Sequence, residues 1–563
     1  MREKVKAQPD FLMAVNLNAA EPVQHPLRAI KPRVARAVVL AFGCLFSPSH
    51  LSPLNAAESK ITDGLPPRPN ILMIYSDDHA YQAISAYGDS RHLIQTPNLD
   101  RLAQEGMLFD RCLVTSSLCG PARAAVLTGK YAHLNGFYNN TNCRFNASQL
   151  TYPKELQKAG YQTAYYGKWH LETNPTGFDD YAVLHGQGQY FDAPFITKDG
   201  NNTESKGYIT DVIREKGIAW LNHRDPSKPF LLVIANKATH RPWVPNPKDL
   251  NFDHDRVYEP PSTFFDDYSG RGTAEHDQEN EIAKNLPASD FKLKPTKRFG
   301  GAPQRYLPEW DAYYEPRNAK FESEHLTGKE LALWKYSRFM HDYLACVKSV
   351  DDNVGTILKY LDDHNLAKNT IVIYSSDQGT YLGEHGWFDK RWIFEESLKT
   401  PFIVRWPAVI KPGSVNKAIV SNLDFAETFI DAAGLPVPAE MQGRSLIPLF
   451  QGKTPSDWRT AFYYHYYEYP YGGNVLPHYG IVTDQYKLVH FYRDANYWEL
   501  FDLAKDPNEL LSVSGRPEYA GVKANLMKQL HDLEIQLKVP PKDPPQALGG
   551  KGKTTYSDSG DID

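Results

Sequence analysis

Four short runs in this chain have continuous apolar cores with no period-two alternation: Asn70–Ser76, Pro229–Ala235, Thr370–Ser376 and Pro401–Trp406. A strand with one face in water alternates apolar and polar residues; a strand buried on both faces has no polar side to show. Candidate helices separate the runs at 97–106, 122–130, 152–159, 208–222, 328–362 and 424–433. Such alternation predicts an α/β fold, a large doubly wound and mostly parallel sheet domain covered by helices on both faces, over about 66–450. Residues 245–325 interrupt it with Pro, Asp, Lys and aromatics, and are expected to form a long insertion near the site.

From about 456 the pattern changes to short aromatic strands separated by turns, at 461–467, 478–483, 486–491 and 498–502, followed by a helix near 519–537. A smaller C-terminal α+β domain over 456–540, an antiparallel sheet plus one helix, is expected there. The tail 541–563 is rich in Pro, Gly, Lys, Ser and Asp and is expected to be disordered. At the other end Arg28, Lys31, Arg33 and Arg36 precede the apolar run Ala37–Phe46, and the small residues Asn55-Ala-Ala57 follow. That order predicts a signal or targeting segment over 1–57 and a periplasmic or secreted protein. The run is too short to span a bilayer, so no transmembrane span is expected in the mature chain. Lipidation at Cys44 is an alternative use of the same segment.

Lys+Arg 62 against Asp+Glu 67 leaves a net charge of −5. No basic field of the kind nucleic acid requires is present. Five cysteines in 563 residues make no disulfide framework, and no CxxC metal pair occurs. Aromatic residues at 12% serve either a packed core or a sugar-binding surface.

Three of the apolar runs end in polar clusters: Asp77-Asp78-His79, Asn236-Lys-Ala-Thr-His240 and Asp377-Gln378-Gly379. Open α/β sheets bind ligands beyond the carboxyl ends of their strands. Asp77, Asp78, Asp377 and the amide oxygen of Gln378 together would make a hard-oxygen cage for a divalent cation such as Ca²⁺. Cys119, followed by Pro121 and Arg123, falls at a predicted helix start, where backbone N–H groups favour an anion. Arg123 lies one turn on, on the same face.

Cys119-x-Pro121-x-Arg123 with Leu127-Thr-Gly-Lys-Tyr131 resembles the signature of the type I sulfatases of the alkaline phosphatase superfamily. The resemblance extends over about 68–540. It includes Gly167-Lys168-Trp-His170, His240-Arg-Pro242, Asp377-Gln-Gly379 and the late Lys390 in Gly383–Lys390. One position departs from the pattern: Ala122 stands where the family usually has Ser.

The resemblance implies that Cys119 is oxidised to formylglycine by a formylglycine-generating or sulfatase-maturing enzyme. It implies a Ca²⁺ site of Asp77, Asp78, residue 119, Asp377 and Gln378, and a catalytic set of Cys119, Arg123, Lys168, His170, His240 and Lys390. Ca²⁺, Arg123, Lys168 and Lys390 would neutralise sulfuryl oxygens. Hydrated formylglycine would attack, His240 with Lys390 would protonate the leaving oxygen, and His170 would take the proton that lets sulfate leave. The substrate implied is a sulfated carbohydrate. The Tyr-rich 463–470 segment with His478 resembles members acting on 6-sulfated N-acetylglucosamine, in an exo mode, with Asp389, Arg391 and His478 expected to hold sugar hydroxyls. A hydrolase of phosphate or phosphonate monoesters on the same scaffold is the competing enzyme. An inactive sulfated-glycan-binding protein is the competing non-enzyme, and the intact set of six catalytic positions argues against it.

Overall fold

The computed structural model describes residues 68–293 and 303–548. The expected targeting segment 1–57, including Cys44, and the tail from 549 onward lie outside the described residues. No helix among the described residues is long and apolar enough to cross a membrane.

The strands of the main sheet are, in chain order, β1 Asn70–Ser76, β2 Met107–Leu113, β3 Gln162–Gly167, β4 Asp180–Leu184, β5 Phe195–Thr197, β6 Asn202–Thr203, β7 Phe230–Ala235, β8 Thr370–Ser376, β9 Lys399–Arg405, β10 Ser414–Asn416 and β11 Val420–Ser421. The 11-stranded sheet has the order β10-β2-β9-β8-β1-β7-β3-β4-β5-β6, with β11 also paired to β2. Its centre, β8-β1-β7-β3-β4, is parallel throughout. Every residue of β1, β7 and β8 is buried, as their continuous apolar cores predict. Alternate side chains of β1 enter different cores: Leu72 and Ile74 one, Ile71, Met73 and Tyr75 the other. The first core is closed by the helices Pro97–Gln104, Ile209–His223 and Gly328–Asp363, and the second by Cys119–Thr128, Tyr152–Lys158 and Asp424–Ala432.

Strand β9, the fourth apolar run, is buried like its neighbours but runs antiparallel to both β8 and β2. Burial on two faces fixes composition, not direction. The 245–325 segment carries more structure than its composition suggests. It contains the helix Leu307–Glu324 despite Pro316, and Phe264, Ile282, Leu286 and Phe291 enter the first core.

The C-terminal sheet has four antiparallel strands in sequence order, β12 Ala461–Tyr466, β13 His478–Thr483, β14 Tyr486–Phe491 and β15 Tyr497–Asp502, with the helix Ala520–Leu537 packed on it. Its apolar side chains share one cluster with Trp387, Trp392 and Phe394 from the loop after β8. Residues 541–548 do not behave as the free tail expected from composition. Asp543 accepts a hydrogen bond from the Tyr492 hydroxyl at 2.7 Å, and Ala547 is buried in the second core.

Candidate active site

Four neighbouring parallel strands deliver polar residues to one edge of the sheet. β1 ends at Asp77 and Asp78, β8 at Asp377 and Gln378, β7 at Lys237 and His240, and β3 at Lys168 and His170. The helix Cys119–Thr128 begins over the same edge. Pro121 sits in its first turn, where a missing N–H is harmless, and Gly129 ends it in a left-handed conformation (φ 63°). All these side chains are buried; His170 and His240, at 9% exposure, are the most accessible.

The Cys119 thiol donates to Asp77 Oδ1 at 3.4 Å. Arg123 donates to Asp377 Oδ2 through Nε (3.1 Å) and Nη2 (2.8 Å), and to the Lys168 carbonyl through Nη1 (2.8 Å). Lys168 donates to Asp77 Oδ2, and Lys390 to Asp78 Oδ2 at 2.6 Å. His240 Nε2 lies 3.8 Å from Asp78 Oδ2, while its Nδ1 bonds the Arg241 carbonyl at 2.8 Å. The six expected catalytic positions and the five expected metal ligands, Cys119 belonging to both sets, thus occupy one region.

Its electrostatics follow from three carboxylates beside three cations in a dry site. Burial, then the charge of Asp77, pushes Asp377 up to about 7. Burial also raises Asp78, partly opposed by Lys390. Burial would raise Asp77 as well, but Lys168, His240 and Arg123 hold it well below the usual carboxylate range. Burial followed by the nearby ammoniums, Lys168 at His170 and Lys390 at His240, holds both imidazoles well below their ordinary value.

The donor set fits a divalent cation. Oxygens of Asp77, Asp78 and Asp377 lie within 4.8 Å of one another, and so do ligand atoms of Asp77, Cys119 and His240. Gln378 Oε1 is buried with no hydrogen-bond partner while its amide nitrogen faces Asp78 Oδ1. The amide's O and N are alike in shape. Half a turn would bring the orphaned oxygen to the carboxylates, the geometry a hard cation asks for.

The three residues expected to hold the sugar divide. Asp389 and Arg391 flank Lys390 in a loop with two left-handed residues (φ 74° and 95°), and Arg391 Nη1 donates to Asp389 Oδ2 at 2.6 Å. Asp389 Oδ1 also lies 3.3 Å from Lys390 Nζ. Gly472, itself left-handed (φ 74°), passes so close to the Arg391 guanidinium that any added Cβ would overlap it. His478 offers nothing to a ligand here. It is fully buried; Nε2 accepts from the Ile393 N–H at 3.1 Å and Nδ1 bonds the Leu476 carbonyl at 2.7 Å. It pins the Asp389–Ile393 loop to β13, because both of its ring nitrogens are already engaged by backbone.

Two residues of the region are not singled out by a sequence motif, although Lys237 lies in the strand-end cluster that begins at Asn236. Lys237 donates to the Gln187 carbonyl at 3.1 Å, and burial, then the nearby Lys168, pulls it down to about 7. Gln187 comes from the loop after β4 and touches both Lys168 and His170.

Residues 69–435 match the family model described as Sulfatase, and residues 383–536 match the one described as N-sulphoglucosamine sulphohydrolase, C-terminal. An N-acetylglucosamine-6-O-sulfatase of Bacteroides thetaiotaomicron is 46% identical over 490 residues, 84% of this chain and 87% of that protein. The N-acetylglucosamine-6-sulfatase of Homo sapiens is 27% identical over 419 residues, 70% of this chain and 66% of that protein. A solved structure of a protein in complex with its substrate D-glucosamine-2-N,6-O-disulfate superposes with a TM-score of 0.80 at 45% identity, over 84% of this chain and 99% of that one. The matched family model spans the strands that build the polar edge, and the chain belongs to the sulfatase family, enzymes that hydrolyse sulfuric esters.

Proposed function

We propose that this enzyme removes the 6-O-sulfate from a terminal glucosamine residue of a glycan, with N-acetylglucosamine-6-sulfate as the preferred unit. The observation that carries this reading is the Asp389–Arg391 pair: a carboxylate and a guanidinium bonded to one another on either side of Lys390. It offers acceptors and donors to ring hydroxyls next to the sulfate pocket. The 46% identical relative, itself named for this substrate, supports it.

The residues of the polar edge divide the work. Arg123, Lys168 and Lys390 set three cationic groups around the sulfuryl oxygens, each already oriented by a buried carboxylate. Asp77, Asp78, Asp377 and Gln378 would hold Ca²⁺, which supplies Lewis-acid polarisation of a sulfate oxygen. Formylglycine at position 119, made from the cysteine by a maturing enzyme, would supply the nucleophilic hydroxyl that a thiol lacks. His240, with Nδ1 tied to a carbonyl, keeps Nε2 for the leaving oxygen. Lys390 beside it would help deliver a proton to that oxygen. His170 takes up the proton released when sulfate departs.

The basic, apolar, small-residue order of 1–57 supports export to the periplasm or beyond, where sulfated glycans are met. In domain terms, the catalytic part is 66–450, and 456–540 braces the Asp389–Ile393 loop. The test is a panel of sulfated monosaccharides assayed with matured enzyme. Highest kcat/KM on N-acetylglucosamine-6-sulfate is expected; higher turnover of a 2-, 3- or 4-sulfated sugar would overturn the substrate and leave the family intact.

A further inference from the structure

The loop between β4 and β5 is the one part of the site's surroundings that no motif announces. It runs His185-Gly-Gln-Gly-Gln189, with both glycines left-handed (φ 46° and 68°). Those conformations let a short loop turn twice and drop the residue between them inward. That residue, Gln187, is half-buried and makes three contacts. Its Oε1 lies 2.5 Å from Lys168 Nζ, its Nε2 lies 3.2 Å from His170 Nε2, and its backbone carbonyl accepts from Lys237 at 3.1 Å. Three positions on, the Tyr190 hydroxyl donates to the His240 carbonyl at 2.6 Å, and its ring lies 5.1 Å from the Lys237 ammonium.

These contacts fix protons as well as positions. An ammonium only donates, so the amide oxygen of Gln187 must face Lys168 and the NH₂ must face His170. An NH₂ donates, so His170 Nε2 must accept, and the ring's hydrogen is placed on Nδ1. His170 Nδ1 is buried and has no hydrogen-bond partner in the protein. We infer that Gln187 is a positioning residue of the hydrolysis: it holds the Lys168 ammonium in place and orients the His170 ring through Nε2, a contact that His170 gives up when it takes a proton there. The inference rests on the reading of Lys168 and His170 given above. It adds a residue from a loop that neither touches the nucleophile nor binds the cation.

The experiment uses the full matured enzyme, a small aryl sulfate and two variants. Gln187→Ala removes both side-chain contacts. Gln187→Glu keeps an oxygen for Lys168 but turns the donor facing His170 into an acceptor, which demands a proton on Nε2. The charged groups around His170 are Lys168 from its own strand end, Asp77, Arg123 and Lys390. None changes in either variant. Gln187→Ala is expected to lose roughly ten- to a hundredfold in kcat, as residues that orient a reacting ligand do. Gln187→Glu is expected to move the acid limb of kcat/KM to higher pH relative to wild type. The inference is overturned if Gln187→Ala stays within twofold of wild type, or if Gln187→Glu keeps the wild-type pH profile. A wild-type enzyme inactive on every sulfate ester would instead overturn the functional reading.

Discussion

Removal of the Arg391 guanidinium separates recognition of the sugar from recognition of the sulfate. Arg391 is bonded to Asp389 at 2.6 Å and lies near the buried Glu468, whereas Asp77, Asp78 and Asp377 are paired with Arg123, Lys168 and Lys390. In Arg391→Ala the cations around the sulfuryl group stay in place, and Asp389 keeps Lys390 as its counter-charge at 3.3 Å. What is lost is one charged hydrogen bond to a ring hydroxyl, worth about 1.5–3 kcal/mol in a dry site. At about 1.4 kcal/mol per factor of ten, kcat/KM on N-acetylglucosamine-6-sulfate should fall roughly ten- to a hundredfold. A small aryl sulfate has no hydroxyl to hold, and its kcat/KM should stay within about threefold on the same argument. Asp389→Ala should differ, because it strips a carboxylate from Lys390 as well as from Arg391, so both substrates should suffer. The assay is initial-rate kinetics on the two substrates, with thermal melts to exclude unfolding. Equal losses on both substrates in Arg391→Ala would refute the reasoning and place that guanidinium in the sulfate pocket.

Cys119→Ala should abolish turnover with little change in stability, since a small residue suits the first turn of a helix; measurable sulfatase activity in that variant would contradict it. The Cys119 peptide of active enzyme should be lighter by the difference between –CH₂SH and –CHO, and an unmodified peptide in fully active enzyme would remove formylglycine from the scheme. Ca²⁺ should raise the melting temperature of chelator-treated protein more at pH 8 than at pH 5. Asp377, pushed up to about 7 by burial and Asp77, binds its proton more tightly folded than unfolded, so its own contribution to metal-free stability is lost as pH rises from about 4 to about 7. The cation offsets that loss, and equal shifts at both pH values would argue against an oxygen cage. His478→Ala should destabilise the protein by about 2–4 kcal/mol, because two buried hydrogen bonds lose a partner. It should slow sugar and aryl sulfates alike; a loss confined to the sugar in denaturation-controlled assays would restore its role at the substrate.

Much of the site was legible because chemistry and topology coincide in this fold. A strand buried on both faces has an apolar core, so the first charged or amide residue after it marks the sheet edge: Asp77, Lys168, Asn236 and Asp377 each follow a strand directly. Other features left no such mark. Gln187 sits among glycines with no periodicity, and its importance comes from contacts with residues about 20 and 50 positions away, which local patterns do not encode. His478 lies at the start of β13, where period-two alternation says that it faces one side of the sheet but not which. The direction of β9 was equally silent. In the long insertion, Pro316 and a weak apolar stripe concealed the helix Leu307–Glu324.

Cys119 is only 1% exposed, and every residue of its helix is buried beneath the sheet edge. An enzyme cannot reach a thiol in that position without unmaking the core around it. The oxidation proposed here therefore has to act on the chain while it is still extended, before Asp377 and Lys390, more than 250 positions later, close the site. Maturation and folding become competitors in time. A variant that folds faster would emerge well folded yet less active, and its deficit would lie in the fraction of chains converted rather than in the turnover of each converted one.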